Sequence, residues 1–138
     1  MNEAMKKENI EEYIKSNELD LELNQNFLYA QIDAKLWKYA LFQAAAVLDI
    51  SHLLLFFGEK ELTIVGLTTV GNFTSDVFSI SYDQISDFKF KKGMLLQSTL
   101  SFLHKKEKYI FKIPNVVLVA KWQKENLNYL QREGFIPN

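Results

Sequence analysis

The chain has 138 residues, 48% of them hydrophobic and 14% aromatic with eleven Phe; this excludes a disordered or solvating segment and suits one densely packed, β-rich domain around a single core. The formal net charge of −1 conceals an asymmetry, because residues 1–33 carry −5 and residues 34–138 carry +4. A nucleic-acid binder would show a net basic domain, so the polarity instead suggests an N-terminal segment that docks on its own domain or on a neighbouring subunit.

There is no cysteine, which removes thiol chemistry, thiolate metal sites and a disulfide framework. The first residues, MNEAMKKENIEEYIKSNELD, lack an apolar signal core and a small-residue cleavage site, so a cytoplasmic protein is expected. Residues 3–16 read as a helix with a narrow apolar stripe of Met5, Ile10, Tyr13 and Ile14, and with Glu3/Lys7 and Glu11/Lys15 in the favourable i,i+4 order. Such a helix is marginal in water and needs something to pack against. Residues 17–26 read as a linker, which divides the chain into a helix-plus-linker segment, 1–26, and a main domain, 27–138.

Residues 27–33, FLYAQID, form a first strand with apolar groups on both faces. Residues 34–49, AKLWKYALFQAAAVLD, are rich in Ala and Leu, contain no Gly or Pro, and predict a helix inserted after that strand. The apolar run 37–57 is long enough to span a bilayer, but Lys38, Gln43, Asp49 and His52 interrupt it, so a packed helix is the better reading. SHLLLFF and ELTIVGLT, joined by Gly58-Glu59-Lys60, predict a hairpin buried on both faces. Residues 69–75 read as a loop.

Parity organises the next stretch. Phe78, Ile80 and Tyr82 share one face of a strand over 77–82, and Asp83-Gln84 break the alternation. Residues 85–91 turn Phe88 and Phe90 inward with Lys89 and Lys91 outward, and Gly93 opens a turn. Residues 99–104 return with Leu100 and Phe102 inward, and residues 109–113 add Tyr109, Phe111 and Ile113. Pro114 ends the ladder, so Asn115 is expected to cap a helix over 116–133 whose stripe of Val116, Val119, Ala120, Leu127 and Leu130, widened by Trp122, closes the mouth of the bent sheet. Gly134 fits the left-handed position that ends a helix, with Phe135 as its apolar contact.

This run of antiparallel strands ending in one amphipathic helix resembles the bacterial pleckstrin-homology-like (PH-like) domain family. The resemblance rests on the hairpin HLLLFFGEKELTIVGL, on SISYDQISDFKFKKGML with its strand, Tyr-acid-x-Ile corner and Lys-Lys-Gly turn, and on the terminal KWQKENLNYL; it covers residues 27–134. It implies an α+β, mainly β fold: a PH-like barrel of about seven antiparallel strands capped by a C-terminal amphipathic helix, with an extra N-terminal helix and an inserted helix after the first strand. Lipid-binding PH domains of eukaryotes cluster Lys and Arg in the loop between the first two strands, where this chain has the apolar segment 34–49, so phosphoinositide binding is not implied. Some bacterial members form ring-like oligomers.

No nucleophile elbow, phosphate loop or dinucleotide fingerprint occurs, and His52 and His104 have no ligand partners at metal spacing. Asp83 and Asp87 flank a strand corner, where acids usually bond local backbone N–H groups. The expectation is therefore a non-catalytic module without cofactor or metal, binding a protein partner or a second copy of itself. The alternative is peripheral binding to a membrane surface of anionic lipid. The candidate interaction residues are Lys89, Lys91, Lys92, Lys105, Lys106 and Lys108 of one electropositive patch, with Trp37 and Phe42 on the apolar segment. A third reading places a small-molecule pocket at the barrel mouth.

Overall fold

The computed structural model describes residues 3–32, 52–93 and 96–137. Its elements are helix α1 (Lys7–Ser16), strands β1 (Phe27–Ile32), β2 (His52–Phe57), β3 (Glu61–Leu67), β4 (Phe73–Ser81), β5 (Ser86–Lys91), β6 (Gln97–His104) and β7 (Glu107–Pro114), and helix α2 (Trp122–Arg132). The seven strands make one antiparallel sheet in the order β4-β3-β2-β1-β7-β6-β5. The fold is thus mainly β, with helices at both ends of the chain. The inserted helix expected at 34–49 lies outside the described residues.

The sheet bends around a single inner core. Leu28, Ala30 and Ile32 of β1 meet Leu53, Leu55 and Phe57 of β2, Leu62 and Ile64 of β3, and Phe111 and Ile113 of β7. Bending brings the two ends of the sheet together: the ring of Phe78 on β4 stands edge-on to His104 on β6, with centroids 6.3 Å apart. Leu127 and Leu130 of α2, with Ile136, seal one end of this core. The inward parity expected for Phe78, Ile80, Phe88, Phe90, Leu100 and Phe102 is the parity observed.

The apolar run of β2 has a second explanation on the other face. Leu54 and Phe56 of β2, Val65 and Leu67 of β3 and Phe27 of β1 face outward into a second core roofed by Ala4, Met5, Ile10 and Ile14. The N-terminal segment therefore packs on its own chain. Burying an aliphatic side chain of this size stabilises by roughly 1.5–3 kcal/mol, which holds in place a helix of ten residues that would be marginal by itself. Polar contacts fix the arm: the Trp122 indole N–H donates to the Met5 carbonyl at 2.8 Å, and Tyr13 donates to the Thr74 carbonyl at 3.0 Å while stacking on Phe73. Leu19, Leu21 and Leu23 of the supposed linker also pack beneath this roof.

Two expectations are corrected near the N-terminus. The first turn, Glu3–Met5, is a separate 3-10 turn, and the Glu3 carboxylate accepts from the Phe73 amide at 3.0 Å instead of pairing with Lys7. Among the described residues Glu11 and Lys15 form no ion pair either; the two ion pairs present join Asp87 to Lys89 and Arg132 to Glu133. These helix-surface carboxylates and amines remain in water, where pairing gains little over hydration.

The C-terminal helix also begins later than expected. Residues 115–121 form an irregular turn, closed by an isolated bridge between Val117 and Ala120, and α2 starts at Trp122. Asn115 does not cap a helix: its amide donates to the Leu96 carbonyl at 2.7 Å and its side-chain oxygen accepts from Ser98 at 2.6 Å, which extends the β6–β7 pairing past Pro114. The valines of this segment are β-branched and gain little from helix geometry. Val116 and Val119 accordingly belong to no helical stripe, and Trp122 sits in the outer core, 4.7 Å from Phe27, rather than at the mouth of the bent sheet. Gly134 does end α2, with φ +81° and the Phe135 amide donating to the Leu130 carbonyl.

Candidate interaction surface

Strand register decides where the lysines lie. Lys91 pairs through Thr99 with Lys112, and Lys89 through Ser101 with Ile110, so these residues form rows across the outward face of β5, β6 and β7. Lys108, opposite Leu103, completes the same face at its far end. The arm covers β2 and β3, not this face. Lys89, Lys91, Lys108 and Lys112 are all exposed. Of the lysines singled out from sequence, Lys105 and Lys106 sit in the β6–β7 turn with positive φ, and Lys92 lies beyond the opposite end of β5, so the six do not make one cluster. Lys112, which sequence reasoning did not single out, shares the outward parity of Lys108 and Ile110. Trp37 and Phe42 lie outside the described residues.

A second surface is apolar. Leu118 is 91% exposed, Val119 57% and Val116 53%, all on the turn before α2, and Leu96, 73% exposed, is tied to that turn through Asn115. Val70, 47% exposed on the β3–β4 turn, faces Val119 across a shallow groove floored by Met5, Tyr29 and His52. At the groove floor the Tyr29 hydroxyl accepts from the Gln31 side chain at 3.1 Å and is paired with Nδ1 of His52 at 2.5 Å. Burial raises the Tyr29 pKa, partly offset by the Gln31 bond, and lowers the His52 pKa, so the imidazole stays neutral.

The apolar turn is carried by an unusual junction. Among the described residues β1 pairs with β7 at Gln31 and Ile32, and toward the start of β1 the two strands separate. Into the gap comes the side chain of Gln123, whose Nε2 donates to the carbonyls of Tyr29 and Pro114 at 2.8 and 2.9 Å and whose Oε1 accepts from the Tyr29 amide at 2.9 Å. Asn126, one turn along, donates to the Phe27 carbonyl at 3.1 Å. The first turn of α2 is thereby bolted to the sheet and holds residues 116–119 outward.

The remaining candidates resolve into local structure. Asp83 accepts from the Ser81 hydroxyl, and Asp87, with φ +52°, pairs with Lys89 at 3.2 Å at a break in the β5–β6 register, so their partners are local but are side chains rather than the backbone N–H groups expected. His104 is buried between Phe78 and Tyr109 and contacts the Gln84 carbonyl at 3.3 Å. Among the described residues no three His, Asp or Glu side chains gather as a metal site, and no helix is long and apolar enough to cross a membrane.

The class that the fold and these surfaces define is a mainly β domain: a bent seven-stranded antiparallel sheet, sealed by a C-terminal helix and roofed by an N-terminal arm. No protein-family model matches the chain, and no curated protein matches it.

Proposed function

We propose that the chain is a PH-like, non-catalytic interaction module that binds a protein surface, a second copy of itself being the simplest partner. The barrel reading is supported by the strand order, by the tight corner between β4 and β5 and by the helix that seals the core. The observation that carries the binding reading is the apolar turn: Leu118 is 91% exposed and stands with Val116 and Val119 on the turn before α2, with Leu96 tied to it through Asn115. Isolated exposed aliphatics are ordinary, whereas a group on one ordered turn marks a contact surface.

Light scattering over a concentration series tests this. The expected result is a mass rising above the 16.1 kDa monomer, with the Leu118→Asp/Val119→Asp variant remaining monomeric. A strict monomer at millimolar concentration removes self-association. Loss of a purified partner's binding in the same variant then supports a heterologous protein contact.

A second reading, peripheral attachment to anionic lipid, is favoured by Lys89, Lys91, Lys108 and Lys112, exposed together on one sheet face. Basic residues at such a surface contribute about 1 kcal/mol each to membrane binding and are screened by salt. It predicts co-sedimentation with phosphatidylserine vesicles that is lost in high salt and in Lys108→Glu/Lys112→Glu. Absence of pelleting at low salt eliminates it.

A further inference from the structure

At the end of the inner core opposite the apolar turn, a cavity of about 370 Å³ opens between the β2–β3 turn, the β4–β5 corner and the C-terminus of α2. Its walls are the aromatic rings of Tyr82, Phe88 and Phe135, and the two charged residues described in its lining, Glu59 and Glu133, are both acids. We propose that this cavity binds a small quaternary ammonium compound. The site is independent of the interaction reading above.

Size, charge and wall chemistry agree. The volume falls within the range of roughly 300–1,000 Å³ that small-molecule sites occupy. Aromatic faces carry negative quadrupole charge and attract weakly hydrated cations, and several rings around one space is the arrangement that suits a methylated ammonium. Three sources favour a cation here. Glu59 has no ion-pair partner among the described residues; Glu133 is 3.9 Å from the Arg132 Nε, but that guanidinium lies over the ring of Tyr129, 5.8 Å from its centroid. The third source is α2 itself, whose C-terminal end, negative by its peptide dipoles, lies at Glu133 and Gly134.

The walls are also preorganised. Tyr82, in the cavity wall, donates its hydroxyl to the Gly58 carbonyl at 2.8 Å, which anchors its ring. Burial, and then the neighbouring Glu61 carboxylate, push its pKa far up, so it stays neutral. Phe135 packs edge-on to Phe57, with centroids 6.5 Å apart, stacks on Tyr129, and is tied by the Leu130 carbonyl that accepts its amide. Phe88 leans edge-on against Phe102.

The test is a two-dimensional NMR titration of the full chain at fixed ionic strength with choline chloride and, in parallel, with 3,3-dimethylbutan-1-ol, which replaces the charged nitrogen by carbon. The expected result is saturable choline shifts at Glu59, Gly134 and Phe135, with the neutral alcohol weaker by roughly tenfold. Glu59→Gln/Glu133→Gln, both surface changes that leave the thermal midpoint in place, should weaken choline by a similar factor, and Phe88→Leu should weaken it as well. Equal binding of the neutral alcohol, an unchanged choline affinity in the double variant, or no saturable shift at tens of millimolar choline would each overturn the proposal.

Discussion

Gln123 hydrogen-bonds both backbone groups of Tyr29, donating to its carbonyl at 2.8 Å and accepting from its amide at 2.9 Å, so a side-chain amide takes the place of a neighbouring strand residue. Gln123 is fully buried, and a leucine there would leave the Tyr29 amide and the carbonyls of Tyr29 and Pro114 without partners. Each buried group left unsatisfied costs about 1–3 kcal/mol. Gln123→Leu should therefore lower stability by about 3 kcal/mol in urea denaturation, whereas Lys124→Leu, on the exposed side of the same turn, should shift it by less than about 0.5 kcal/mol. Similar midpoints for the two variants would mean that the amide bridge contributes nothing.

Two glycines should differ sharply when replaced by alanine. Gly134 has φ +81° with nothing within 4 Å of an added Cβ, so Gly134→Ala carries just the left-handed conformational cost, about 1 kcal/mol. At Gly93 an added Cβ would lie 1.5 Å from the Gln97 carbonyl oxygen. That is backbone, which cannot swing aside as a side chain can, so Gly93→Ala should cost about 3 kcal/mol. Thermal unfolding of the two variants, measured side by side, checks the order.

What was legible in the sequence follows from period. Strand parity places Phe88, Phe90, Leu100, Phe102, Phe111 and Ile113 inward because a half-buried strand alternates, and the unbroken run Leu53 to Phe57 announces burial on both faces. The stripe of Met5, Ile10 and Ile14 likewise matches the roof it forms. Gln123 and Asn126 were hidden because polar residues on an amphipathic helix read as its solvent face. Their role depends on β1 parting from β7 on the N-terminal side of Gln31, a long-range fact that no local pattern carries. The apolar turn follows from a related cause: Val116 to Ala120 has helix-compatible hydrophobicity, and the continued pairing of Asn115 with Leu96, together with its β-branched valines, denies it the helix. The basic face shows how register adds to charge counting, since Lys112 joins Lys91 through Thr99 across three strands.

His52 should give stability a pH dependence of defined sign. Burial lowers its pKa below the ordinary 6.5 in the folded chain, so the unfolded chain binds the proton more readily. The contribution is fully present above 6.5 and is lost as pH falls through the folded pKa. The comparison is with His52→Gln, which removes the imidazole and leaves every other titrating group in place. Between about pH 7.5 and pH 5 the wild-type urea midpoint should fall more steeply than that of the variant. Parallel slopes would show that the imidazole titrates alike in both states.

Removal of residues 1–19 should expose the outer core. Leu54, Phe56, Val65 and Leu67 would lose the roof of Met5, Ile10 and Ile14, and the Trp122 indole would lose its Met5 acceptor. Three aliphatic burials at roughly 1.5–3 kcal/mol each make the arm worth about 5 kcal/mol, a large part of the stability of a domain this size. The truncated chain should bind the dye ANS strongly, unfold at lower urea and self-associate. In a Trp37→Phe background, where Trp122 is the remaining tryptophan of two, its emission should shift to the red. Ile10→Asp in the full-length chain should reproduce the same changes with the arm still attached, because a carboxylate at a fully buried position cannot keep the helix seated. Unchanged dye binding and emission in both variants would show that the arm lies on the sheet without being part of its core.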